Sequence, residues 1–130
     1  MKSRDNLMRL KHFQVEDKTR QLAQIDMMIQ ELTKMSDDLL AQIRIEEEKS
    51  GITDVAHFAY PTFAKAARQR HENLAGSIRD LNEKRGVAVD ALAEAEEALK
   101  KAQMLENRDT STVANDPVVD AQVERRAMIG

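Results

Sequence analysis

Residue types that do chemistry are few in this chain and stand far apart. Cysteine is absent, which removes disulfides, thiolate nucleophiles and thiolate metal sites together and fits a reducing compartment. His12, His57 and His71 are distant from one another in sequence, so no two of them meet on one helical turn as a ligand pair. Glu46, Glu47 and Glu48 are consecutive. On a helix they point in three directions and make a solvated face rather than a paired acid and base. There is no Gly-rich phosphate loop, no nucleophile elbow and no Cys-His pair. A narrow helical protein also offers no deep pocket in which a reaction could be desolvated. These observations predict no enzyme, no metal, no cofactor and no small-molecule substrate.

The informative pattern is a hydrophobic repeat. Met8, Val15, Leu22, Ile29, Ser36 and Ile43 share one heptad register, and Ile25, Leu32 and Leu39 share its partner register. A second stretch repeats the arrangement, with Ile78, Leu92 and Leu99 on one register and Leu74, Leu81, Ala88, Ala95 and Ala102 on the other. Small residues on one row of a seam let two helix backbones approach closely, to about 8 Å between axes. With 42% hydrophobic and 33% charged residues but only four aromatics, the chain lacks the large side chains of a compact core and must be held by this seam. Lys11, Lys18, Glu46 and Arg85 interrupt the seam, so modest stability is expected.

The reading is an all-α fold: an antiparallel two-helix coiled-coil hairpin with a flexible C-terminal tail. Ser3 or Asp5 caps the first helix, and Gly51 stops it. Thr53 or Asp54 caps a short turn, and Pro61 opens the second helix. The hairpin occupies residues 1–106, with its turn at about 50–61; each arm of about 45 residues would be about 70 Å long. Residues 107–116 are polar and lose the repeat, so 107–130 read as a linker followed by a short helix from Pro117.

Charge selects the antiparallel pairing over a parallel dimer of one long helix. The N-terminal segment is rich in Lys and Arg, and residues 91–109, which a hairpin lays beside it, are rich in Glu. Near the turn the signs reverse, with Asp37, Asp38 and Glu46 to Glu48 opposite Lys65, Arg68 and Arg70. A parallel dimer would oppose like charges at both ends. A net charge of -3 argues against nucleic acid as a partner. No apolar run reaches the roughly 20 residues that span a bilayer, and the N-terminus lacks a signal-peptide core, so a soluble cytoplasmic protein is expected.

Two surfaces remain as candidates for partner binding. Around the turn, Tyr60, Ala64, Ala67 and His71 follow a four-three-four spacing on one helical face, with Phe58 and Phe63 beside them. Such a face offers an aromatic anchor and a small-residue groove to a partner helix. Its competitor is a structural plug, although a hairpin tip is too thin to bury all three aromatics. At the N-terminus, Lys2, Arg4, Arg9 and Lys11 with Leu7 form a basic, partly apolar end. It either neutralises the acidic end of the second helix or engages an acidic protein ring.

The equal arms, the basic amphipathic start over residues 1–10 and the segment Asp54-Val-Ala-His-Phe-Ala-Tyr-Pro-Thr-Phe-Ala-Lys-Ala-Ala67 resemble the FliJ-type flagellar export chaperone and ATPase stalk family, in its alphaproteobacterial branch. The resemblance covers about residues 1–106 and implies a non-catalytic component of the flagellar type III export apparatus. It implies a location in the cytoplasm, associated peripherally with the inner membrane at the flagellar base. The implied partners are the hexameric export ATPase, the export gate membrane protein and other export chaperones. Under it, Lys2, Arg4, Leu7, Arg9 and Lys11 face the ATPase ring, and Tyr60, Phe63, Ala64, Ala67 and His71 face the gate. Ala64 departs from the family, where a larger aliphatic residue is commoner. The alternative is a structural or regulatory coiled-coil adaptor that dimerises through Met28 and Met35 beside the seam.

Overall fold

A computed structural model describes the backbone of residues 2–115 and the side chains of residues 3–109. Two helices account for almost all of it: α1, Lys2–Ser50, and α2, Thr62–Asn115. The fold is all-α. Residues 107–115, expected in a linker, instead continue α2. Neither Gly nor Pro occurs between Asn107 and Pro117 to stop the helix, and Asp109 is held by an ion pair with Arg4 at 2.8 Å. The remainder of the expected linker and the short helix from Pro117 lie outside the described residues.

Contacts divide the chain into two compact units. One is Arg20–Asp90, a hairpin closed by the turn between α1 and α2. The other joins the first part of α1, up to Thr19, to the part of α2 that begins at Ala91. In both, segments of the two helices pack antiparallel, as heptad spacing and charge placement anticipate.

Burial follows the heptad rows. In the hairpin unit Ser36, Ile43, Leu81 and Ala88 are buried, and Leu22, Ile25, Ile29, Leu32, Leu39, Leu74 and Ile78 are half-buried. In the other unit Met8, Val15, Leu92, Ala95, Leu99 and Ala102 are half-buried. Two helices can cover only one stripe of each other, so side chains at the edges of the stripe stay partly wet. Ile43, at 1% exposure, is the one large side chain fully enclosed among the described residues. Of the polar residues at seam positions, Lys11, Lys18 and Glu46 are half-buried, which their long apolar stems permit, while Arg85 is exposed and reaches Asp26.

The turn is built by local hydrogen bonds that replace those the helices lose. Gly51 adopts a φ of 72° and donates its N–H to the Glu47 carbonyl at 2.8 Å, closing α1 in the left-handed conformation that glycine takes without a Cβ clash. Ile52 N–H donates to the Ser50 hydroxyl at 3.1 Å. Asp54 Oδ1 accepts from Ala56 N–H, and the Asp54 carbonyl accepts from His57 N–H. His57 Nδ1 then accepts from Ala59 N–H at 3.0 Å. Pro61 supplies the carbonyl that accepts the Lys65 N–H and so starts α2.

Ile43→Ala is expected to lower unfolding stability by about 2–4 kcal/mol, the range for emptying a fully enclosed aliphatic site. Val87→Ala, at a position 70% exposed, should change it by no more than about 0.5 kcal/mol. Urea unfolding followed by far-ultraviolet circular dichroism measures both, and equal costs would refute the seam as the source of stability. Gly51→Ala meets no neighbouring atom within 4 Å, so its expected cost of about 1 kcal/mol comes from backbone strain alone.

Candidate functional site

The turn-proximal face is positioned by the same repeat that makes the hairpin. Counting back from Leu74 and Ile78 in steps of four and three places Tyr60, Ala64, Ala67 and His71 on the seam rows themselves. The structure turns this face inward: Ala64 is 0% exposed, Ala67 3% and Tyr60 7%, with His71 half-buried. The expectation that these four present a groove to a partner is therefore corrected. Helical geometry carries them against α1, and the alanines are the small residues that a close helix approach requires. Phe63 lies one residue outside the rows and is 54% exposed.

Of the three aromatics near the turn, Tyr60 alone is the plug. Its hydroxyl accepts a hydrogen bond from Arg68 Nε at 2.9 Å, and the same guanidinium donates through its second arm to Glu47 Oε1 at 2.6 Å. Glu47 is buried, so its charge would be costly without this partner. The hydrogen bond from Arg68 to Tyr60, then that to Glu47, raise the Arg68 pKa above its ordinary value. No buried side-chain nitrogen or oxygen among the described residues lacks a partner. The sequence set Glu46 to Glu48 opposite Arg68 but pointed to a solvated face; the structure instead buries Glu47, and the part Tyr60 plays in the cluster had no signal in the sequence.

Phe58 is 96% exposed and stacks on the His57 ring, with centroids 4.7 Å apart. Since His57 Nδ1 also accepts from the Ala59 backbone, the ring against Phe58 is held by the loop itself. Val55 is exposed on the same turn.

In the unit formed by the start of α1 and the later part of α2, Arg4, Leu7, Met8 and Lys11 face Ala102 and Leu105 across a groove of about 430 Å³. Leu7 and Leu105 are each about half exposed, as are Leu10 and Met104 nearby. Arg4 pairs with Asp109, so part of the basic segment neutralises the acidic helix beside it; Arg9 is exposed and Lys11 lines the groove. The Lys2 side chain lies outside the described residues. Leu10, Met104 and Leu105 were not singled out from the sequence, because they lie outside the two heptad rows of the seam.

Among the described residues no three His, Asp or Glu side chains gather as metal ligands would, and no helix is long and apolar enough to cross a membrane. Comparison with protein families, characterised proteins and solved structures finds no match to this chain.

A double-mutant cycle with Arg68→Met and Glu47→Gln is expected to return a coupling of about 1 kcal/mol, since the Arg68 side is partly screened by solvent. The Arg85 and Asp26 pair, open to solvent on both sides, should couple more weakly. Urea unfolding of the single and double variants measures both, and equal couplings would contradict burial as the source of the difference.

Proposed function

We propose that this chain is a non-enzymatic component of the flagellar type III protein export apparatus. It acts as the central stalk of the export ATPase and as a general chaperone that links the ATPase to the export gate. The observation that carries this reading is the basic, apolar end formed by residues 3–11 and 101–109. Arg4, Arg9, Lys11, Lys101 and Arg108 there outnumber Asp5, Glu106 and Asp109, and Leu7, Leu10, Met104 and Leu105 are exposed among them. Cations placed around apolar side chains suit an acidic protein ring, where charge steers the encounter and the apolar contacts hold it. The likeness of the turn segment to FliJ-type proteins is the second support. With Tyr60, Ala64 and Ala67 turned inward, contact with the gate falls to the exposed side chains beside them, Phe58 and Phe63. In this reading the protein works in the cytoplasm, peripherally attached to the inner membrane at the flagellar base, and other export chaperones share its surface.

The test is the ATP hydrolysis rate of the cognate flagellar export ATPase titrated with this protein. A saturable rise near one chain per ring is expected. The triple charge reversal Arg4→Glu, Arg9→Glu, Lys11→Glu should raise the half-saturating concentration by about tenfold or more. Circular dichroism of the variant checks that the helices persist. No change in rate, with no co-migration of the two proteins, would overturn the reading.

A further inference from the structure

The groove between the start of α1 and the later part of α2 lies close to the described end of α2. Leu7 and Leu105 border it, with the half-buried Met8 and Ala102 among its lining, and Leu10 and Met104 are exposed nearby. Leu105 stands about 15 Å along the helix before Asn115. A cleft of this kind between two helices is the place a further helix fills in a bundle.

The sequence that follows supplies a segment for it. Pro117 has no N–H to offer the carbonyl four residues earlier, and its ring clashes there, which kinks or breaks a helix at this point. The pair Asp116-Pro117 has the residue types of a helix cap and a first helical position, so a new helix can start there in another direction. After it, Val119, Val123 and Ala127 share one row at four-residue spacing, and Asp120 and Glu124 share the row beside it. As a helix, residues 118–130 span about 20 Å, enough to run back past Leu105.

Charge and tethering favour that return. Lys11 and Lys101 line the groove, and among the described residues neither takes part in an ion pair, whereas Arg4 is held by Asp109. Over residues 3–11 and 101–109 cations outnumber anions, and after Asn115 the balance is reversed, with Asp116, Asp120 and Glu124 against Arg125 and Arg126. A segment joined to the groove by so short a connection acts at an effective concentration in about the millimolar range, which a separate copy or partner reaches only when it is itself abundant.

We propose that residues 117–128 fold back along this groove and place Val119, Val123 and Ala127 over Leu7 and Leu105. The segment is then a cover built into the chain, displaced when a partner takes the groove. That regulatory consequence rests on the export reading, in which the same end engages the ATPase; the return of the segment does not.

The chain has no cysteine, so a nitroxide on Glu97→Cys, at an exposed position beside the groove, labels a single place. In nuclear magnetic resonance spectra of the full chain, the expected result is broadening of the Val119 to Ala127 amides that is relieved when the nitroxide is reduced. Adding Val119→Glu and Val123→Glu should abolish the broadening while circular dichroism shows the helices unchanged. No broadening in the parent, or equal broadening in the double variant, would overturn the proposal, because the label would then report only the tether. Broadening carried from a nitroxide on one chain to the amides of another would overturn it as well, by giving the groove to a second copy. With the cognate export ATPase, the unlabelled Val119→Glu, Val123→Glu chain should half-saturate at a concentration lower by about threefold or more, since no fraction of its groove is covered. Equal half-saturation of both forms would overturn the cover as a regulator. An ATPase that responds to neither form, with the broadening present, would sink the export reading and leave the covered groove in place.

Discussion

Everything in this molecule depends on one stripe of contact between two helices. A helix in a globular domain buries its apolar face against several neighbours, but here each has a single neighbour, and Ile43 is the only large side chain fully enclosed among the described residues. The rest of the seam is half-wet, and each of its residues contributes less than the roughly 1.5–3 kcal/mol of full burial. That places unusual weight on the closure at the turn. There the Gly51 stop, the Asp54 and His57 caps and the clamp of Arg68 on Tyr60 and Glu47 hold the connection between the helices in one conformation. The alanines at 64 and 67 belong to the same constraint, because a bulkier pair would push the helices apart where the chain must reverse.

The helical pairing was legible because its signal is redundant. Met8 through Ile43 and Leu74 through Ala102 state the repeat many times over, and the charge pattern independently demands antiparallel neighbours. Gly51 and Pro61 were legible for a simpler reason, since each does something other residues do poorly. The end of α2 was less so: a polar stretch such as residues 107–115 loses the hydrophobic repeat but contains nothing that forbids a helix, and loss of a seam is not a stop signal.

The misplaced surface is the more instructive case. Tyr60, Ala64, Ala67 and His71 stood out as a face with a partner's spacing, yet four-three-four is the spacing of the seam itself, and continuing the register from Leu74 would have assigned them inward. Composition drew attention to a cluster of aromatic and small residues, and position decided their fate. Phe58 and Phe63 share that cluster but fall off the rows, which is why they remain exposed. The Arg68, Glu47 and Tyr60 cluster was hidden for the converse reason. It joins residues from two helices and a loop, and only the closed turn brings them together.

A two-helix hairpin cannot hide all of its apolar surface, and this shapes what it is fitted to do. Leu7, Met28, Met35, Phe63 and Leu105 all sit at the position immediately before a seam residue, where a third or fourth helix would cover them in a larger bundle. On α1 this row holds Leu7, Met28 and Met35, whereas on α2 only Phe63 and Leu105 stand in it, among Arg70, Ser77 and Lys84. The charged residues in and around it, Asp38, Arg70 and Asp80 in the hairpin unit and Arg4 and Lys11 in the other, differ in sign and arrangement. The same apolar row therefore has different surroundings in the two units, and in the second the excess of cations favours an acidic surface. The weakness of the seam and the capacity to bind have one origin, the apolar stripe that a single neighbour leaves uncovered.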